Sequence, residues 1–185
     1  MTFLIRAAVF GALSIPIVWV SRRSLRHPKS HGFSRFFAFE AILALVVLNA
    51  PQWFADPFGV RQLVSWLLLS VSLVFVIWGL VLLRSLGGFD PAAETSPAFE
   101  WESTDRLVTS GIYHYIRHPM YSSLLFLAWG AFLKSVTAST FVLAGAASLA
   151  LAATAKAEET ENLLRFGREY RDYMLRTRRF VPFLL

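Results

Sequence analysis

The chain contains no cysteine. That absence excludes a disulfide framework, thiolate-bound zinc and cysteine nucleophiles together. Charge is scarce as well: only 16% of the 185 residues are Asp, Glu, Lys or Arg, where soluble domains carry about 25%. Too little polar surface is left for a soluble enzyme, a disordered chain or a nucleic-acid module. Metal-ligand spacing is missing too, since His27, His31 and His114 are not set at the separations of a metal site. No internal repeat or low-complexity tract stands out. What the chain has instead is apolar length, with 56% hydrophobic and 15% aromatic residues.

A helix crosses a bilayer with about 20 apolar residues, because the hydrocarbon core is roughly 30 Å thick and each residue rises about 1.5 Å. Phe3 to Val20 and Leu63 to Leu83 meet that requirement. Phe36 to Ala50 is shorter, but Phe33, Trp53 and Phe54 extend it into the interfaces. The run from Met120 to Ala155 is too long for one span and breaks at Lys134-Ser135-Val136-Thr137, which predicts a helical hairpin. The expected fold class is therefore an all-α integral membrane protein with five transmembrane helices.

All of the 18 lysines and arginines except Arg6, Arg61 and Lys134 fall on one side of this arrangement. Basic residues concentrate on the cytoplasmic side, so the N-terminus is expected outside and the C-terminus inside. Arg22 and Arg23, directly after the first apolar run, look like a stop rather than a signal-peptide cleavage site. The segment from Ser85 to Ile116 is long for an idle connection, and Asp90, Glu94, Glu100, Glu102 and Asp105 make it acidic. The tail from Glu158 to Arg179 is amphipathic, with an expected bend at Gly167.

Chemistry is expected where two polar clusters meet. Pro119 marks the start of the fourth span, since proline is best tolerated in the first helical turn. The free N–H groups after it and the helix dipole form an anion site that Arg117 and His118 reinforce. If the hairpin turns near Val136, His118 lies level with Thr154, which brings Arg117 and His118 within about one helical turn of Glu158 and Glu159. Arg117 and Tyr121 at a helix end also have an ordinary reading as interfacial anchors. Glu161 is expected to pair with Arg165 at i, i+4, Glu40 to be satisfied by Arg35, and Tyr170 and Tyr173 to serve packing.

The motifs Leu107-Val108-Thr109-Ser110-Gly111, Tyr113, Arg117-His118-Pro119 and Tyr121 are followed in order by Glu158-Glu159, Phe166-Gly167, Tyr170, Tyr173, Thr177, Arg179-Phe180 and Pro182. In this pattern the chain resembles the isoprenylcysteine carboxyl methyltransferase family, part of a wider group of membrane methyltransferases that includes phospholipid N-methyltransferases. The likeness runs from Arg84 to the C-terminus. It divides the chain into residues 1–83, three helices without a motif, and residues 84–185, a methyltransferase core. The resemblance implies a cytoplasmic pocket for S-adenosylmethionine built by the C-terminal half and a lipophilic or small methyl acceptor reached from the bilayer. It implies no metal, and a multi-pass protein of a prokaryotic inner membrane. Cofactor contacts are implied for Leu107, Val108, Tyr113, His118, Pro119, Met120, Tyr121 and Glu158, with Arg117 and Glu159 as catalytic residues.

Three positions depart from the family pattern: Asp105 replaces a histidine, Ser123 a glycine, and Thr154 the arginine that engages a substrate carboxylate in the eukaryotic enzymes. A carboxylate, amine or thiol acceptor all stay open. A transporter and a non-catalytic lipid-binding scaffold are the alternatives. The first of these is expected to place polar residues or helix breaks near the midplane.

Overall fold

The computed structural model describes residues 2–88 and 106–181. The acidic positions Asp90, Glu94, Glu100, Glu102 and Asp105, and the motif residue Pro182, lie outside them. Six α-helices carry the described chain: α1 (Phe3–Leu25), α2 (His31–Asn49), α3 (Val60–Leu86), α4 (Pro119–Phe132), α5 (Ala138–Phe166) and α6 (Arg168–Arg176). No strand occurs among the described residues. The one backbone bridge there pairs Ile116 with Arg178.

Four helices, α1, α2, α3 and α5, are long and apolar enough to cross a membrane, and the chain is a multi-pass membrane protein. The expected fifth span is different. Helix α4 has 14 residues, about 21 Å at 1.5 Å per residue, so the count of five spanning helices is approximate. Pro119 fixes its start, and its far end is closed by Lys134 rather than by solvent. Lys134 is fully buried, donates to Gln62 Oε1 at 2.9 Å and lies 3.4 Å from the centroid of the Trp66 ring. Thr137 then caps α5 through a reciprocal capping box with Thr140.

Helix α3 turns a stripe of small residues toward α4. Ser65 Oγ donates to Gly130 O and Ser72 Oγ to Ser123 O, each at 2.7 Å. One further heptad along, Gly79 lets Pro119 and Met120 approach so closely that an added Cβ would sit 3.4 Å from a carbon of each. Between apolar helices, small residues and interhelical hydrogen bonds supply the adhesion that hydrophobic burial supplies in water. Gly79→Ala is therefore expected to be tolerated. Gly79→Leu should push the start of α4 away and cost about 1 to 3 kcal/mol, read as a lowered melting temperature of the purified protein.

Helix α2 packs against α5 and α4, and Ile42, Leu45, Ala128, Ala131, Phe132, Ala144 and Ala147 form one buried cluster. Helix α1 is peripheral: no residue of its most apolar stretch is buried. One polar link to α2 is Ser14 Oγ, which donates to Glu40 Oε2 at 2.6 Å, a partner for Glu40 that was not expected from the sequence; Arg6 Nη1, which reaches Leu48 O, is another.

Helix α5 extends well past the level of Pro119, and this projection carries the second polar cluster. The chain bends at Gly167, where φ is +57°, and α6 folds back. The segment after α6 then runs beside the start of α4: Arg117 N–H donates to Arg178 O at 2.8 Å, His118 N–H to Arg179 O at 3.1 Å, and Arg178 N–H to Tyr115 O at 3.0 Å. Ser122 Oγ adds a bond to Phe180 O at 2.6 Å. Phe180 itself is buried with Ala38, Tyr121, Leu151 and Ala155. Residues 177–180 are thus a strap holding the tail onto the core.

Candidate functional site

A cavity of about 90 Å³, open on one side, lies between the end of α3, the approach to α4, the projection of α5 and α6. All eight residues that the sequence motifs implied as cofactor contacts line it: Leu107, Val108, Tyr113, His118, Pro119, Met120, Tyr121 and Glu158. Arg117 lines it as well. The roles of these residues are taken up below.

The approach to α4 is shaped by Gly111. Its φ of +60° is a left-handed conformation, and a Cβ there would lie 2.5 Å from Leu82 Cδ1, so a larger residue would be strained and would also clash. The turn after it (Gly111–His114) presses Ile112 and Tyr113 into a cluster with Val108 and Ile116 against Phe75, Leu82 and Leu83 of α3. That packing sets one wall. Pro119 then opens α4, with His118 as the flanking residue, and the positive end of the helix dipole faces the cavity wall.

The neighbouring carboxylates Glu158 and Glu159 have separate environments. The Glu158 side chain keeps 29% of its exposure, and Oε2 lies 3.7 Å from His118 Nδ1. It borders the cavity, whereas Glu159 stands behind it. The Glu159 side chain is only 5% exposed. Its Oε1 accepts from Arg117 Nε at 2.9 Å and from Arg179 Nε at 3.1 Å, and Oε2 accepts from Arg179 Nη2. Arg117 Nη1 continues to Met174 O and to both oxygens of Thr177. Two guanidiniums thus hold the Glu159 carboxylate, Arg117 borders the cavity as well, and the cluster ties the strap and α6 to α4.

His118 is 4% exposed and stacks on Tyr121, with ring centroids 5.4 Å apart. Nε2 is buried without a hydrogen-bond partner among the described residues. The Glu159 oxygen 3.5 Å away is within ion-pair reach but does not meet hydrogen-bond geometry. Nε2 thus faces the Glu159 cluster behind the wall, and Nδ1 faces Glu158 on the cavity side.

Five wall residues were not singled out as ligands by sequence: Leu83, Asn162, Phe166, Tyr170 and Tyr173. The signal for two of them was present, since Glu158, Asn162 and Phe166 recur every fourth residue and so form one face of α5. Tyr170 and Tyr173 were read as packing. Both are buried, and Tyr173 Oη donates to Tyr113 O at 2.6 Å, so they pack and line the cavity at once. Burial pushes both phenols well above their ordinary range; they stay neutral and present hydroxyls and ring faces.

Glu161 accepts from the ring and the backbone N–H of His31, at 2.6 and 3.1 Å, a long-range partner that was not expected from the sequence. Thr154 is fully buried, and its Oγ1 donates to Ala150 O at 2.8 Å. The position where the eukaryotic enzymes carry a substrate-binding arginine therefore points into packed helix here. Among the described residues no group of three or more His, Cys, Asp and Glu is placed to hold a metal ion.

No curated protein and no solved structure gives a significant match to the chain. A family model does: the one described as phospholipid methyltransferase matches residues 60–169, from the start of α3 to the first turn of α6. That stretch contains all eight residues implied as cofactor contacts, and it is more than half of the sequence. The chain belongs to the phospholipid methyltransferase family, a family of membrane methyltransferases.

Proposed function

We propose that the chain is an S-adenosylmethionine-dependent methyltransferase that acts at the cytoplasmic membrane surface on a lipophilic or small, membrane-accessible acceptor. The observation that carries the reading is the convergence of the eight motif residues on one cavity beside a single partly exposed carboxylate, Glu158. The polar cluster sits at the ends of the spanning helices, away from the midplane where a transporter concentrates its ionisable groups. Residues 84–185 supply most of the cavity and α3 adds Leu83.

S-adenosylmethionine, when bound, supplies an electrophilic methyl group on a sulfonium. The cavity fits such a molecule at three points. The start of α4 offers a positive dipole end for a carboxylate. Glu158 offers an acceptor for amino or ribose hydroxyl protons. Tyrosine faces attract a sulfonium as they do other onium groups. Methyl displacement depends on alignment more than on acid–base help. An acceptor that must lose a proton meets the His118 ring, whose Nδ1 faces Glu158 on the cavity side and takes that proton. A carboxylate acceptor needs no such step.

The reading is tested by methyl transfer in sealed vesicles, using labelled donor that does not cross the bilayer. Label should reach the lipid-extractable or small-molecule fraction only when the cytoplasmic face is exposed. For an amine or thiol acceptor, His118→Gln should lower turnover by about 10²-fold or more. Transfer from the opposite face would reverse the orientation. Absence of transfer from both faces, across amine, thiol and carboxylate acceptors, would remove the catalytic reading.

A further inference from the structure

A second cavity lies far from the first, on the membrane side of the pair α1 and α2. About 170 Å³ in volume, it is walled by Phe3, Ala7 and Phe10 of α1 and by Ala44, Val47 and Leu48 of α2, with Arg6 as the one charged group in its lining. The groove exists because Ala7 and Ala44 are small between larger neighbours. Arg6 lies less than one turn into α1, about 5 Å from the helix start, which places its guanidinium near headgroup depth.

Arg6 is poorly satisfied by the protein. Nη1 reaches Leu48 O at 3.4 Å, a long contact, and Nε is buried with no hydrogen-bond partner among the described residues. No acidic residue lines the groove. A guanidinium enclosed by apolar side chains is costly unless an anion meets it. Its fork of donors matches a phosphate, and the apolar walls match an acyl chain.

We propose that this groove binds an anionic phospholipid from the leaflet in which α1 begins, with the phosphate on Arg6 and an acyl chain between Phe3, Phe10 and Val47. The lipid acts as mortar between α1 and α2, a pair whose other polar link is the bond from Ser14 to Glu40. The site is separate from the methyl-transfer cavity and does not depend on its assignment.

The test is thermal unfolding of the detergent-purified full chain, titrated separately with dioleoyl phosphatidylglycerol, dioleoyl phosphatidylcholine and inorganic phosphate. A ligand of the folded state raises the melting temperature by mass action. Phosphatidylglycerol should bind at least about tenfold more tightly than phosphatidylcholine, and phosphate alone should give no shift. Arg6→Gln should abolish the preference. Ala44→Phe, which fills the groove and leaves Arg6 in place, should weaken phosphatidylglycerol binding, and it carries the test if Arg6→Gln does not fold. Equal shifts from the two lipids, a shift from phosphate alone, an unchanged preference in folded Arg6→Gln, or unchanged phosphatidylglycerol binding in folded Ala44→Phe would overturn the proposal.

Discussion

Glu159→Ala is expected to destabilise the protein by about 3 to 5 kcal/mol, the cost of removing one partner from a buried ion pair. The substitution leaves Arg117, whose side chain is 9% exposed, without its carboxylate partner. It also frees Arg179, so two of the links holding residues 177–180 against α4 are lost together. Beyond a lower melting temperature, trypsin should gain access to the tail at Arg176, Arg178 and Arg179. Replacing the pair by apolar side chains, as in Arg117→Met with Glu159→Leu, should recover part of the loss, because buried ion pairs are often no better than packed hydrocarbon. A Glu159→Ala protein that melts with the wild type and keeps its tail protected would show that the strap is held by its backbone pairing alone.

The adjacent substitution should behave in the opposite way. Glu158→Ala removes a partly exposed carboxylate whose nearest partner of opposite character is His118 at 3.7 Å, so little stability depends on it. Its expected effect is on the methyl donor. Loss of a charge-assisted hydrogen bond is worth about 1.5 to 3 kcal/mol, a tenfold to hundredfold weakening of binding. Affinity for S-adenosylhomocysteine measured by calorimetry should fall by that factor while the melting temperature without ligand stays within about 1 °C of wild type, as expected when ΔΔG is near zero. Unchanged affinity would remove Glu158 from the donor site, and a large loss of stability would assign it to the same clamp as Glu159.

The contrast between these neighbours shows where sequence reasoning reached its limit. Pro119 as a helix start and Lys134-Ser135-Val136-Thr137 as a turn were enough to place His118 near Glu158, because the arithmetic needs only helical rise and one hairpin. That local geometry brought the motif residues to one wall. The different duties of Glu158 and Glu159 were not legible. They depend on Arg179 returning to α4 through residues 177–180, a contact between segments some sixty positions apart. The same reason accounts for Glu161, which gains His31 from the start of α2, and for Glu40, which gains Ser14 from a neighbouring helix. Hydropathy gave the spanning helices well and located α4 without fixing its length, because a short helix sealed by a buried lysine has the same composition as part of a span. The Ser65, Ser72 and Gly79 stripe was present in the sequence, but small residues on an apolar helix declare a contact face only once the partner is known.

The central claim is that the cavity beside Glu158 holds the methyl donor, and the most direct measurement is saturable binding of S-adenosylhomocysteine to the wild-type chain in detergent. The account predicts one site per chain and a melting temperature that rises with ligand as mass action requires, by about 2.7 kcal/mol of added stability at a hundredfold excess over Kd. A chain that folds, passes its melting transition cooperatively and shows neither binding nor a shift at millimolar ligand would contradict it.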